Sequence, residues 1–261
     1  MITELTELIA ILEAEIPANP QSTKNERLRA RLQRGLTKYF DKLEKAFPYS
    51  SIDKLYNKYV TESLASETGN TIGRLLGAFN ETLETTIEDN ISQTYISGTA
   101  EMTSWGKTKG GIPISYEGPP VQGAIDFAKT QGAKLVTQMD EETKRRLADV
   151  IGNGIQNKRG IPGIQRDLRK TFTDMSKYRS ELIARTETAN ALSTASLNSM
   201  KDMGIEGKQW ITSGDDRVSE ECMGNEAEGV IPINQSFSGG VDAPPQHPDC
   251  RCALAPALIK K

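Results

Sequence analysis

Cys222, His247, Cys250 and Cys252 are every cysteine and the only histidine of a 261-residue chain, and all four fall within its last 40 residues. Three thiols and one imidazole form a Cys3His set, a tetrahedral zinc environment, and the His-x2-Cys step from 247 to 250 lets one tight turn aim both side chains inward. Pro244, Pro245 and Pro248 fix φ on the approach and reduce the entropy lost when the ligands converge. Two features oppose a metal. An extended Cys-x-Cys puts 250 and 252 on one strand face, from which a single ion takes two ligands only if the chain turns like a knuckle. Ser219 stands where a Cys-x2-Cys partner of Cys222 would sit. The same residues therefore also read as buried structural thiols beside a satisfied histidine, or as a disulfide formed later in an oxidising setting. The cofactor expectation is Zn or none.

A nucleophile pair, with Cys222 or Cys250 attacking and His247 as base, has no Gly-rich oxyanion loop and no third orienting residue. The carboxylates of "GDDR" (214–217) read as a turn. Residues 1–105 hold no phosphate loop, no histidine and no ordered carboxylate pair. No catalytic residue is assigned, and the chain is expected to be no enzyme.

The elements that must position the cluster are mainly helical. Apolar content of 36% with 6% aromatics is lean and suits helices better than sandwiches. Ile2, Leu5, Leu8, Ile9, Leu12 and Ile16 give a first stripe, which "IPANPQ" interrupts. A second helix, about Lys24 to Phe47, places Leu28, Leu32, Leu36, Tyr39, Leu43 and Phe47 on one face, and Pro48 stops it. A short helix carries Ile52, Leu55, Tyr56, Tyr59 and Leu64. A long one, with Ile72, Leu76, Phe79, Leu83, Ile87, Ile91 and Tyr95 in near-heptad rhythm, wants a partner helix. "GKTKGGIPISYEGPPVQG" (106–123) has no period and reads as a linker. Beyond it, helices are expected over Val121 to Val136, over Glu141 to Gly152, from Pro162 to near Phe172, and from Lys177 to about Met203. After Gly204 "KQWIT", "GVIPI" and "CRCALAPAL" read as short strands with a short helix at "SEEC".

The fold class expected is mainly α: an elongated helical N-terminal region over 1–105, the linker 106–123, and a helical C-terminal domain over 124–261 that ends in a small antiparallel β module.

The formal charge of −3 conceals a sign pattern: residues 24–45 carry eight bases against three acids, residues 139–185 eleven against seven, and residues 202–249 ten acids against two bases. Different partners at different ends follow. Arg27, Arg29, Arg31 and Arg34, with Lys144, Arg145 and Arg146, are the candidate DNA contacts. Without interleaved aromatics such contact would be non-specific and strongly salt-dependent. The N-terminus lacks a basic leader region and carries Glu4, Glu7, Glu13 and Glu15, and no stretch approaches the ~18 apolar residues of a membrane span. The expected location is therefore the cytoplasm of the producing cell, with no membrane partner.

Four segments, in this order and spacing, resemble the C-terminal domain of phage head-morphogenesis proteins, the Mu F-like minor head protein family: "SELIARTETANALSTA" (180–195), "KQWITSGDDRVSEEC" (208–222), "GVIPI" (229–233) and "PPQHPDCRC" (244–252). The resemblance spans about residues 140–255. It implies a minor capsid protein of a tailed phage, associated with the portal and other head proteins, assembled in the host cytoplasm, carried in the capsid interior and linked to head assembly and genome delivery. Where many relatives have Cys-x2-Cys after the Arg-Val pair, this chain has Ser219. The resemblance also gives a use to Arg185, Thr186 and Glu187: mid-helix beneath the β module, the Arg185 guanidinium would bridge to Asp216 or cap strand-end carbonyls. Beside Arg217, Trp210 would plug the same junction with its indole N–H on a carbonyl. The apolar-striped helices of the N-terminal half would be the docking surface for the portal.

Overall fold

The computed structural model describes residues 16–52, 72–112 and 121–257. The stripe expected at residues 2–12 and most of the short helix around Leu55 lie outside them. The described residues include helices α1 (Thr23–Ala46), α2 (Asn80–Thr108), α3 (Val121–Gln156), α4 (Ile161–Asp174), α5 (Ser180–Asp202) and α6 (Glu220–Ala227) and strands β1 (Gly207–Ile211), β2 (Val230–Pro232) and β3 (Ala253–Ala257). The chain is mainly α with a small antiparallel sheet, as its periodicity predicts. Of the 106–123 stretch, residues 106–108 close α2, residues 121–123 open α3, and residues 113–120 are not described.

Two helices run further than expected. Residues 137–140 hold neither Gly nor Pro, so α3 continues unbroken, with the Thr143 hydroxyl donating to the Met139 carbonyl at 2.6 Å. Residues 173–176 lack a breaker too, and there the helix widens into a π turn over Met175–Arg179 instead of ending. Conversely, the stripe from Ile72 to Tyr95 is interrupted: residues 72–77 are helical, residues 78–79 turn, and α2 begins at Asn80.

The chain divides into two units, each discontinuous in sequence: the described parts of Met1–Leu32, Asp89–Ala128 and Leu182–Lys261, and those of Gln33–Glu88 and Lys129–Glu181. In the second unit Leu36, Phe40, Leu83, Ile87, Leu147, Ile151, Ile164, Leu168 and Phe172 are buried. Phe47 and Phe172 meet edge to face at 5.5 Å. Gly154 allows α3 to approach α4, since a Cβ there would lie 2.6 Å from Ile164 Cγ1. Thr37 donates to the Ser176 carbonyl at 3.1 Å, satisfying a backbone group in the π turn.

In the first unit α5 turns small buried residues, Ala191, Ala195 and Ser199 among them, toward its neighbours. A Cβ on Gly98 would stand 3.0 Å from Ala195 Cβ, so glycine sets how closely α2 and α5 approach. Helix α5 ends at Asp202, Gly204 follows at φ +70°, and the Ile205 N–H closes back on the Met200 carbonyl at 2.9 Å. The chain then enters β1, the central strand, which pairs antiparallel with β2 (Lys208 opposite Ile231) and β3 (Trp210 opposite Leu254). Trp210, Phe237, Ile231, Leu254, Met200, Met102 and the three cysteines share one core. The apolar stripe on α2 offered as a docking surface is thus consumed inside the molecule: Leu83, Ile87, Ile91 and Tyr95 are all buried.

Candidate metal centre

Each ligand-type side chain is delivered by a different local device. Ser219 caps α6, its hydroxyl accepting from the Cys222 N–H at 3.2 Å, which places Cys222 in the first helical turn with 1% of its surface exposed. The position that could have carried a further cysteine is therefore used here to start the helix. His247 and Cys250 sit at the two ends of a tight turn. The Cys250 N–H donates to the His247 carbonyl at 3.2 Å, and Asp249 takes the left-handed conformation at φ +65°. Cys252 follows as the last residue before β3, also buried. Residues 250–252 precede the strand, so the alternation of an extended strand does not fix how the Cys250 and Cys252 side chains lie relative to each other.

The segment is held down on three sides. Asn225 of α6, fully buried, donates to Gln246 at 3.0 Å and accepts from the Gly239 N–H at 2.9 Å, while Gln246 donates to the Gly239 carbonyl at 3.0 Å. From α5, Arg185 donates to Asp249 at 2.5 Å and the Thr186 hydroxyl accepts from the Asp249 N–H at 3.1 Å. From the turn after β1, Asp215 accepts from both Arg251 nitrogens, one of them at 2.6 Å.

The result brings together groups 25 to 28 residues apart in sequence: Cys222 Sγ lies 3.4 Å from His247 Nε2 and 3.7 Å from Cys250 Sγ. One ligand atom each from Cys222, His247 and Cys250 fits within 4.8 Å. His247 Nδ1 is 2.8 Å from the Pro248 carbonyl. Since a carbonyl only accepts, Nδ1 carries the proton and Nε2 presents its lone pair toward the sulfurs. The Cys252 thiol interacts with those of Cys250 and Cys222. All three cysteines are free thiols, and 3.7 Å is far beyond the ~2.05 Å of a disulfide.

Three buried sulfurs cannot all ionise without a compensating cation. Hydrogen bonds from the Cys252 thiol and from the Cys252 and Gln246 N–H groups pull Cys250 down to about 5. That thiolate, together with burial, pushes Cys252 well up, and burial above all pushes Cys222 up.

The remaining expected residues are placed as follows. Arg185 pairs with Asp249, while Asp216 is exposed. Asp215, one residue earlier, is the anchored member of the "GDDR" pair: Arg251 holds its carboxyl well below the ordinary carboxylate range, and it also accepts from the Arg217 N–H at 3.1 Å. Glu187 is buried on α5. Trp210 is fully buried and packs edge to face on Phe237 at 5.2 Å, as a plug should. Its indole N–H finds no carbonyl among the described residues and is left facing the Cys252 sulfur. Two functional contacts were not foreseen. Glu226 receives both the N–H and the hydroxyl of Thr212 at 2.8 Å, tying β1 to α6. Lys208, fully buried, donates to the Asp242 carbonyl at 2.8 Å and lies 5.3 Å over the Phe237 ring.

The candidate DNA-contacting residues differ in their availability. Arg27, Arg31 and Arg34 are exposed on α1, Arg31 donating to Gln93. Arg29 is paired with Glu26 at 2.6 Å. Lys144 is partly buried. Arg145 bonds Glu142 and Asp149 at 2.8 Å, and Arg146 bonds Glu142 at 2.6 Å, which lowers the Glu142 carboxyl to about 2. The basic run at 144–146 carries its own counter-charges.

Residues 143–255 match the family model described as Phage Mu protein F like protein. The matched stretch begins within α3, ends in β3 and contains every residue of the cluster. No curated protein and no solved structure matches the chain.

Proposed function

We propose, because residues 143–255 match the model of the Phage Mu protein F like family, that this protein is a structural component of a phage head, acting in head morphogenesis in association with the portal, with a part in genome delivery. It is assembled in the host cytoplasm and retained in the capsid interior. The family match carries this reading, and the geometry favours a structural over a catalytic role. A nucleophile must meet substrate, but Cys222 and Cys250 are each 1% exposed. The imidazole that would act as base has one nitrogen on a carbonyl and the other on buried sulfur. No helix among the described residues is long and apolar enough to cross a membrane.

The portal would be met through polar surface, since the α2 stripe is internal. Co-expression with the portal protein of the same genome, followed by size exclusion, tests the reading. Co-elution in a stable complex is expected, and separate elution at micromolar concentration of both would overturn it.

A second reading, non-specific contact with packaged DNA, is favoured by exposed Arg27, Arg31 and Arg34 on one short stretch of α1. Such binding releases counterions and weakens steeply with salt. A gel shift absent even at low salt removes it.

A further inference from the structure

We propose that Cys222, His247, Cys250 and Cys252 form a structural zinc site that locks the segment 244–252 onto α6 and β1. The argument starts from distances. Zinc bonds of about 2.3 Å to sulfur and about 2.0–2.1 Å to nitrogen give a tetrahedron whose edges are about 3.8 Å (S to S) and about 3.5 Å (S to N). The chain holds Cys222 Sγ 3.7 Å from Cys250 Sγ and 3.4 Å from His247 Nε2. Two of the edges are therefore already set.

Contact between two thiols alone would also give the sulfur separation, so the histidine decides between packing and coordination. Its ring is fixed through Nδ1 on the Pro248 carbonyl, the outer contact that orients a metal-binding imidazole and leaves Nε2 unprotonated. The Nε2 lone pair meets the Cys222 sulfur at 3.4 Å with Cys250 Sγ within 4.8 Å, so the three donor atoms already converge on one point as a metal would require. Cys252 lies outside the group of three ligand atoms held within 4.8 Å of one another, but it follows Cys250 by two residues in the same buried core and would supply the fourth donor.

With all four positions filled by protein, the metal has no open site for water or substrate, so its role is structural. What it would secure is legible in the packing: Trp210, Phe237, Ile231 and Leu254 lie in the same core as the three sulfurs. Losing the metal would loosen the tail segment over Trp210.

The test uses the full chain purified under reducing conditions from zinc-supplemented cells. Elemental analysis should give one zinc per chain, and removal by a strong chelator should shift the tryptophan fluorescence to the red and lower the melting temperature. Adding zinc back should reverse both. Titrating the stripped protein with Co2+ should give intense visible bands of tetrahedral cobalt and the near-ultraviolet charge-transfer band of thiolate ligation, saturating at one equivalent. In Cys252→Ser and His247→Ala the bands should weaken and the affinity for Co2+ fall tenfold or more. Zinc below a tenth of an equivalent, together with Co2+ spectra that lack the thiolate band, overturns the proposal, because the wild-type titration does not depend on any variant folding. A Cys222–Cys250 disulfide found by mass spectrometry in protein purified under these conditions overturns it equally.

Discussion

Arg185 Nη1 lies 2.5 Å from Asp249 Oδ1, joining the second turn of helix α5 to the one left-handed residue inside the His247–Cys250 turn. The neighbouring Thr186 hydroxyl takes the Asp249 N–H at 3.1 Å. Two consecutive helix residues therefore hold both the side chain and the backbone of the residue whose conformation lets histidine and cysteine converge. A non-glycine residue at φ +65° is costly unless its surroundings determine it, and here two hydrogen bonds from α5 do so.

Replacing Arg185 with Ala should therefore weaken the C-terminal module. The pair is partly exposed, with side-chain exposures of 21% and 48%, so the coupling measured in an Arg185→Ala, Asp249→Asn double-mutant cycle should be about 0.5–1 kcal/mol. Asp249→Gly should be tolerated better than Asp249→Ala, since glycine keeps the turn without strain. Urea titration of the four proteins measures this, and a coupling of zero would show that the turn stands without α5.

The Asp215–Arg251 contact predicts acid sensitivity. The Arg251 guanidinium lowers the Asp215 carboxyl relative to the unfolded chain, so the stabilisation is complete above the ordinary aspartate value of about 4 and is lost as pH falls through the lower folded value. Melting temperature plotted against pH should drop below about pH 4 in the wild type and be flatter in Asp215→Asn, which starts lower at neutral pH. Parallel curves would mean the contact contributes nothing.

What was readable in advance follows from scarcity. One histidine and three cysteines leave few combinations, so residue type and clustering singled out the candidate cluster, of which the structure brings Cys222, His247 and Cys250 within 4.8 Å of one another. Carboxylates are abundant, and choosing among Asp215, Asp216 and Asp249 required knowing that Asp249 is left-handed, which no neighbouring residue announces. The antiparallel module was visible in its alternation and turns. The continuity of α3 and the π turn were not, because periodicity drifts over long helices and only Gly or Pro marks a break in sequence. The contact between Thr212 and Glu226 joins two residues ordinary in type, and nothing but geometry pairs them.

Trp210 offers a test of packing against polarity. Its ring is fully buried, so Trp210→Ala should cost about 3–5 kcal/mol through cavity formation. Its N–H has no oxygen acceptor among the described residues. Trp210→Phe removes that donor while keeping most of the apolar volume, and should cost only about 1 kcal/mol. A loss in Trp210→Phe as large as in Trp210→Ala would mean that the indole N–H makes a bond worth keeping.

The second unit makes a separate prediction about pH. Arg179 donates to the Thr143 hydroxyl at 2.8 Å and the Met139 carbonyl at 3.3 Å, and burial lowers its guanidinium to about 10, so it is charged at neutral pH. Asp140, raised by burial, receives Asn80 at 2.8 Å and Tyr39 at 3.5 Å, and Arg179 is among the charges that limit its rise. Arg179→Met keeps the volume but removes the charge, so about 1–3 kcal/mol should be lost with the charged hydrogen bonds. The Asp140 carboxyl should then rise further. A carboxyl whose folded value lies above its unfolded one favours the folded state when protonated, so that contribution fades as pH rises through the interval between the two values. Arg179→Met should therefore lose more melting temperature between pH 4 and pH 7 than the wild type, and Arg179→Met combined with Asp140→Asn should not. Equal slopes in all three proteins would show that Arg179 acts by packing alone, as its position 5.6 Å over the Phe40 ring also allows.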